Sequence, residues 1–352
     1  MRLELINRVV DGEILGKSIL TSEGKVLLRA GIKLTNQYIN KLKEIGVIYI
    51  YVEDDRLNDI CVEDTRMLEM KKHAIKNMAN IVKSINNCDS KLFKKNIRQV
   101  EELINYIIDD GNVSTSVYDI KTFDNYTYLH CIDTSIMATF MGLSFKFKEA
   151  DIKDLGMGAI LHDIGKTKVG NVIVNKPGPL TPEEFEEMKR HPSYGVDMLK
   201  EYYSISQNIL DIVQQHHERV DGKGYPNKIS GNKINKLANI VSICDVYDAV
   251  NNDRSYRKKF KPNEAYELIL SGSGSAFESD NVLKFKETFA VYPLGSCLKL
   301  SNDIEGYVIK QNSNYPDRPV LRVLYDSETK KPIPFYEVDL LKNPDITVEA
   351  II

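Results

Sequence analysis

The chain has 352 residues, with 47 Lys+Arg against 50 Asp+Glu, a net charge of −3, 42% hydrophobic residues, no Trp, 6 His and 5 Cys. At roughly 100–200 residues per domain this predicts two or three domains, and the apolar share supports real cores, which excludes wholesale disorder. The near-neutral charge excludes bulk binding of long nucleic acid, which needs a strongly basic face, but leaves room for a local basic pocket.

Residues 1–57 read as a small α+β unit. Leu3–Val10, Glu13–Leu20 and Lys25–Leu28 are strand-like, with turn signals at Asp11-Gly12 and Glu23-Gly24. Thr35 caps a helix carrying Tyr38, Ile39, Leu42 and Ile45 on one face and ended by Gly46. Val47–Val52 is a β-prone strand. Over 58–111 the spacing changes to threes and fours: Met67, Met70, Ala74, Met78, Ile81 and Ile85, then Leu92, Ile97, Val100, Ile104 and Ile107. These are two amphipathic helices, serving as a helical link or as a pair that transmits a signal and forms a homodimer. Residues 112–288 are helix-rich. Thr181-Pro182-Glu183-Glu184 is a helix start with a capping box, and Pro192 is expected to stop that helix just after His191. SGSGS at 271–275 reads as a flexible loop. Residues 289–352 hold β-prone runs at Cys297–Leu300, Gly306–Ile309, Val320–Tyr325 and Phe335–Val338, a small β tail domain with no readable motif.

The N-terminus lacks the unbroken apolar stretch of a signal peptide, and no window approaches the roughly 18 apolar residues of a membrane span. Cys61, Cys88, Cys131, Cys244 and Cys297 are odd in number and far apart, so they read as reduced structural thiols of a cytoplasmic protein and not as a zinc site.

Five of the six His fall between His130 and His217. Each has a plain reading alone. His130 could be a packed helical residue, His162-Asp163 a helix end with Gly165 as a left-handed stop, and His216-His217 a polar helix face. Asp245 is harder to dismiss, because it lies in the apolar run Leu237–Val250 and an unpaired buried carboxylate is costly. Taken together, imidazole and carboxylate are the ligand set of borderline divalent metals. Adjacent ligands diverge by about 100° on a helix, so each pair serves one metal only near a helix end, or else splits between two. Seven candidates exceed a single zinc site and suit a dinuclear site with a bridging carboxylate, the apparatus of phosphate-ester hydrolysis.

His162-Asp163-Ile164-Gly165-Lys166 and the run from His216 to Pro226 resemble the HDxGK and HHExxDGxGYP motifs of the HD-GYP domains, a branch of the HD superfamily of metal-dependent phosphohydrolases. His191-Pro192, the run Asp245–Ala249 and Asp253–Arg257 match as well, and the resemblance covers about half of the chain. It implies a mainly α fold: an all-helical HD-type catalytic domain flanked by the small α+β N-terminal and small β C-terminal domains. It implies hydrolysis of cyclic di-GMP, with His130, His162, Asp163, His191, His216, His217 and Asp245 as metal ligands and Asp163 bridging. A third metal in some members is held by a Glu at the position of Tyr126, so two divalent ions are expected here, Fe or Mn first, then Zn, Ni or Co.

The expected chemistry is in-line attack on phosphorus by a metal-bridging hydroxide, giving linear pGpG, with a second cut to GMP left open by the sequence. Asp163 and Lys166 are the catalytic candidates, with Lys166 neutralising phosphoryl charge or standing as a solvated lysine at a helix end. Arg254 and Arg257, in a run with five basic residues, suit phosphates and guanine edges, and the alternative is a solvated basic loop. Tyr225 stacks on a guanine or packs, while Asp221 and Asp248 are expected to orient His ligands. The competing readings are a hydrolase of another cyclic dinucleotide, such as cyclic GMP-AMP, and a receptor that binds cyclic di-GMP without cutting it. No motif in residues 1–57 names an input signal, and only His73 is left outside the predicted site.

Overall fold

The computed structural model describes residues 1–20, 26–47, 49–60, 65–110, 127–202, 205–251, 262–312, 315–329 and 331–352. The N-terminal unit pairs β1 (Arg2–Leu5) antiparallel with β4 (Tyr49–Val52), and β2 (Ile19–Leu20) with β3 (Val26–Leu28). The first two strands are shorter than the expected runs. Helix α1 (Asn36–Glu44) starts where expected, the Thr35 hydroxyl accepting the Tyr38 N–H at 3.3 Å. Its buried stripe is narrower than the sequence suggests: Ile39 and Leu42 are buried, while Tyr38 and Ile45 are 42% and 51% exposed. Leu15, Leu34, Ile50 and Val52 complete this small core.

Helices α2 (Thr65–Asn86) and α3 (Ser90–Asp110) form the amphipathic pair. Asp89 caps α3, its carboxylate accepting the N–H groups of Lys91 and Leu92 at 3.1 and 3.0 Å. Apart from the exposed Leu92, the apolar stripes that suggested a partner copy face inward. Met78, Ile81, Phe93, Val100 and Ile104 pack in one core with Ile132 and Ile136 of α4 (Thr127–Ser144) and Leu155 of α5 (Glu149–Leu161). A buried ion pair between Lys71 of α2 and Asp133 of α4 ties the pair to the helix that carries His130.

The helical unit continues through α6 (Lys166–Val169), α7 (Asn171–Val174), α8 (Pro182–Met188), α9 (His191–Leu199), α10 (Gln207–Gln215), α11 (Lys236–Asn251), α12 (Pro262–Ser271) and α13 (Ser279–Thr288). The Thr181–Glu184 capping box is present, but the helix it starts ends at Met188. Pro192 then sits in the first turn of α9 and begins a helix instead of stopping one, since its missing N–H costs nothing there. The SGSGS run is a compact turn, with Gly274 N–H bonded to Phe277 O and Ser275 O accepting the Asp221 N–H at 2.9 Å. No described helix is long and apolar enough to cross a membrane.

The tail is a five-stranded antiparallel sheet of order β8-β7-β6-β5-β9, from β5 (Cys297–Leu300), β6 (Glu305–Asn312), β7 (Tyr315–Tyr325), β8 (Pro332–Asp339) and β9 (Val348–Ile351). Four of these contain the expected runs, while β9 was not foreseen. The two ends of the chain dock on each other. Leu3 N–H bonds Gly295 O at 2.9 Å, Arg56 donates to Tyr325 Oη at 2.6 Å, and Arg322 grips the Asp59 carboxylate with two contacts of 2.7 Å. Leu3, Tyr51, Leu57, Ile60 and Leu324 bury a shared apolar cluster beneath these bonds.

Candidate metal centre

Three helices end at the same place, and each leaves terminal carbonyls without intrahelical partners. His162 follows α5, and its Nδ1 donates to Ala159 O at 2.6 Å. His216 follows α10, and its Nδ1 donates to Val213 O at 2.9 Å. His191 follows the turn after α8, and its Nδ1 donates to Met188 O at 2.8 Å. A carbonyl can only accept, so these bonds put the proton on Nδ1 and leave Nε2 a bare lone pair. The same His-to-carbonyl step of three residues thus orients three imidazoles toward one centre.

Asp163 stands between them. Its Oδ2 lies 3.4 Å from His162 Nε2, while its Oδ1 lies 3.3 Å from His191 Nε2 and 3.9 Å from His216 Nε2. One carboxyl oxygen therefore faces each side of the centre. Asp245, on α11, places Oδ1 at 2.9 Å from His130 Nε2 and 3.8 Å from His162 Nε2, and Oδ2 at 3.9 Å from His217 Nδ1. The seven side chains fall into two groups with ligand atoms within 4.8 Å of one another, Asp163–His191–His216–His217 and His130–His162–Asp245. Both adjacent pairs sit just beyond helix ends, where neighbouring side chains can converge.

The charge states suit a cation. Burial pulls His191 down to about 4 and His217 to about 3, against partial upward pulls from Asp163 and Asp245. His216 falls well below the usual imidazole range for the same reason, burial among other imidazoles. These rings are neutral at pH 7. Burial alone would raise Asp163 and Asp245, but the cationic and imidazole groups around them hold both well below the usual carboxylate range. His130 is the exception. Burial would lower it, but Asp245 and Asp248 raise it to about 10, gripping Nε2 at 2.9 Å and Nδ1 at 2.6 Å. Asp248 thus has the orienting role foreseen for it. Asp221 does not: it pairs with Arg219 at 2.7 Å and accepts the Lys223 N–H at 3.0 Å, shaping the turn instead of a ligand.

Two observations test whether divalent ions fit. Among the described residues, His162 Nε2 and Asp163 Oδ1 are buried without a hydrogen-bond partner, a costly state for polar atoms. The Nε2 atoms of His191 and His216 face each other at 3.2 Å, both unprotonated by the argument above. Opposed lone pairs repel unless a cation lies close by. The residues fit the group.

Around the centre, Lys166 donates to Asp163 Oδ2 at 2.5 Å. Tyr225 lies against His217, ring centroids 4.6 Å apart and tilted by 30°. The turn that carries it is held from below: Glu218 is buried, accepts the Asn227 N–H at 2.6 Å, and has its carboxyl pushed up by burial. The motif glycines serve close approach. A Cβ at Gly224 would meet Arg219 N at 2.4 Å, and one at Gly165 would meet His191 O at 1.9 Å. Gly165 has φ −68°, so contact explains it and a left-handed stop does not. Tyr126, Arg254 and Arg257 lie outside the described residues. The sequence reading missed Cys131, which shares a third group with His162 and Asp163. Its only signal was its place beside His130.

The profile of the HD domain family matches residues 65–280. The chain belongs to this family. Its HD-GYP-type motifs lie within the match, and residues 297–352 match the KOW domain associated with the HD domain. The family match takes in α2 and α3. Among curated proteins, the chain is 33% identical over 241 residues to the cyclic di-GMP phosphodiesterase PA4108 of Pseudomonas aeruginosa, covering 68% of this chain and 58% of that one. It is 28% identical over 193 residues to the 3'3'-cGAMP-specific phosphodiesterase 2 of Vibrio cholerae, covering 53% of this chain and 37% of that one. The matches thus take in little more than half of these relatives, or less. Among solved structures, the HDG"Y"P protein Bd1817 of Bdellovibrio bacteriovorus superposes with a TM-score of 0.52 at 15% identity, covering 80% of this chain and 97% of that one, which shows the fold.

Proposed function

We propose that this HD-GYP-type chain is a metal-dependent phosphodiesterase that adds one water across one of the two equivalent esters of cyclic di-GMP, giving linear pGpG. One observation carries the reading: Asp163, grouped with His191, His216 and His217, turns Oδ1 to His191 at 3.3 Å and Oδ2 to His162 of the second His-rich group at 3.4 Å. In this reading His130, His162 and Asp245 would hold one divalent ion and His191, His216 and His217 a second, with Asp163 available to both. When bound, such ions supply a nucleophile from water near neutral pH and Lewis acidity toward phosphoryl oxygens.

The chain's own groups do the rest. The helix-end carbonyls fix the ring tautomers, and Asp248 orients His130. Lys166, partly exposed beside Asp163, is proposed to donate to a non-bridging phosphoryl oxygen in the transition state. Tyr225, half-buried beside His217, is proposed to offer a flat face to a guanine. Arg254 and Arg257 are proposed to grip the substrate's phosphates and guanine edges. Cyclic di-GMP is preferred to cyclic GMP-AMP because the curated relative at 33% identity carries that name, against 28% for the other.

The test incubates purified Mn- or Fe-loaded protein with each cyclic dinucleotide and separates products by chromatography. Cyclic di-GMP should be consumed faster and yield pGpG. Preferential cleavage of cyclic GMP-AMP would overturn the substrate assignment. Tight binding with no product would overturn the enzymatic one in favour of a receptor.

A further inference from the structure

Cys131 follows His130 on α4, turned about 100° from it around the helix. Its side chain is 2% exposed. Its Sγ, a ring nitrogen of His162 and a carboxylate oxygen of Asp163 all lie within 4.8 Å of one another. His162 Nδ1 is committed to Ala159 O, so the ring atom available is Nε2. Among the described residues that atom is buried with no hydrogen-bond partner, and Asp163 turns Oδ2 to it at 3.4 Å. A thiol, an imidazole nitrogen and a carboxylate therefore meet in a buried corner on the His162 side of the centre. None of the other described cysteines, Cys88, Cys244 and Cys297, belongs to such a group.

At the bond lengths of a tetrahedral zinc site, sulfur and nitrogen ligands stand about 3.6 Å apart. The observed bound of 4.8 Å leaves at most about 1.2 Å to close, within reach of a rotamer adjustment. We infer that Cys131 is a sulfur ligand for the cation on the His162 side of the centre, and that it biases the site toward Fe(II), Co(II) and Zn(II) over Mn(II) and Mg(II). The bias follows from ligand softness: thiolates favour the former group, whereas carboxylate and water suit the latter. Binding exchanges the thiol proton for the cation, and the proton leaves to water. The inference rests on the metal-centre reading above and adds a residue to it.

The full chain is stripped with a chelator, loaded with Co(II), and its cobalt measured by elemental analysis beside the absorption spectrum. The expected result is a near-ultraviolet sulfur-to-cobalt charge-transfer band in the wild type that vanishes in Cys131→Ser. Cd(II) affinity should fall about tenfold or more in that variant, since even outer partners of a ligand are worth about 10–100-fold, while Mn(II) affinity should change far less. Bound cobalt without the band, or a band that survives in Cys131→Ser, overturns the sulfur ligand and leaves the metal centre standing. A wild type that binds no cobalt overturns both. If Cys131→Ser fails to fold, Cys131→Ala and the wild-type spectrum decide the matter.

Discussion

Gly165 gives the most local test of how the motif is built. Alanine there would set a Cβ 1.9 Å from the His191 carbonyl oxygen and 2.5 Å from Gly195 N. Ordinary contact needs about 3.5 Å, so the HD turn and the start of α9 would have to part by roughly 1.5 Å. The backbone at Gly165 has φ −68° and ψ −17°, a helical conformation that alanine adopts freely, so the whole effect is steric. Overpacking of this kind costs about 1–3 kcal/mol, which in a unit of this size lowers Tm by about 2–12 °C. The displaced groups are His191 and Asp163 themselves, and a misplacement of about 1 Å near the chemistry costs about 100-fold in rate. Circular-dichroism melting and steady-state turnover of cyclic di-GMP measure the two effects. A Gly165→Ala protein with wild-type Tm and wild-type turnover would refute the claim that close approach, and not chain flexibility, explains this glycine.

Three more outcomes follow from single contacts. Glu218→Leu strands the Asn227 N–H and should cost about 1–3 kcal/mol in denaturant unfolding, while Glu218→Gln, which keeps an acceptor, should recover most of it; equal losses would count against the clamp. Lys71→Met leaves Asp133 buried without its cation and should cost about 3–5 kcal/mol, and adding Asp133→Leu should restore much of it; strictly additive losses would contradict a coupled pair. Arg322 hydrogen bonds hold the Asp59 carboxyl below its usual value, so this contribution to docking of the chain's two ends is present above the unfolded value of about 3.9 and is lost as pH falls through the lowered one. Limited proteolysis across that range should show the ends loosening in acid, and Asp59→Asn should flatten the response.

The sequence spoke most clearly where one residue type does one local job. The Thr181–Glu184 capping box, the Thr35 cap and the β-prone runs of the tail are all where local chemistry puts them. The His and Asp candidates were legible because few other roles bring such groups into apolar runs. The reading failed where a residue's role depends on what the chain brings against it. Pro192 carries the same sequence signal whether it ends one helix or begins the next. SGSGS looks flexible, yet its Ser275 carbonyl accepts the Asp221 N–H, and the carbonyl of Ala276 just beyond it accepts that of Val220. Gly165 suggests a left-handed stop and instead meets His191 from a distant segment. The docking of Asp59 on Arg322 joins residues 263 apart, and nothing local announces it.

Metal content of wild type against Asp163→Asn tests most directly the proposal that Asp163 serves two ions. Elemental analysis of the Mn- or Fe-loaded full chain should give two equivalents in the wild type and a loss of both sites' occupancy in the variant. An Asp163→Asn protein that keeps two equivalents, or a wild type that binds one or three, would contradict a two-ion centre built on that residue.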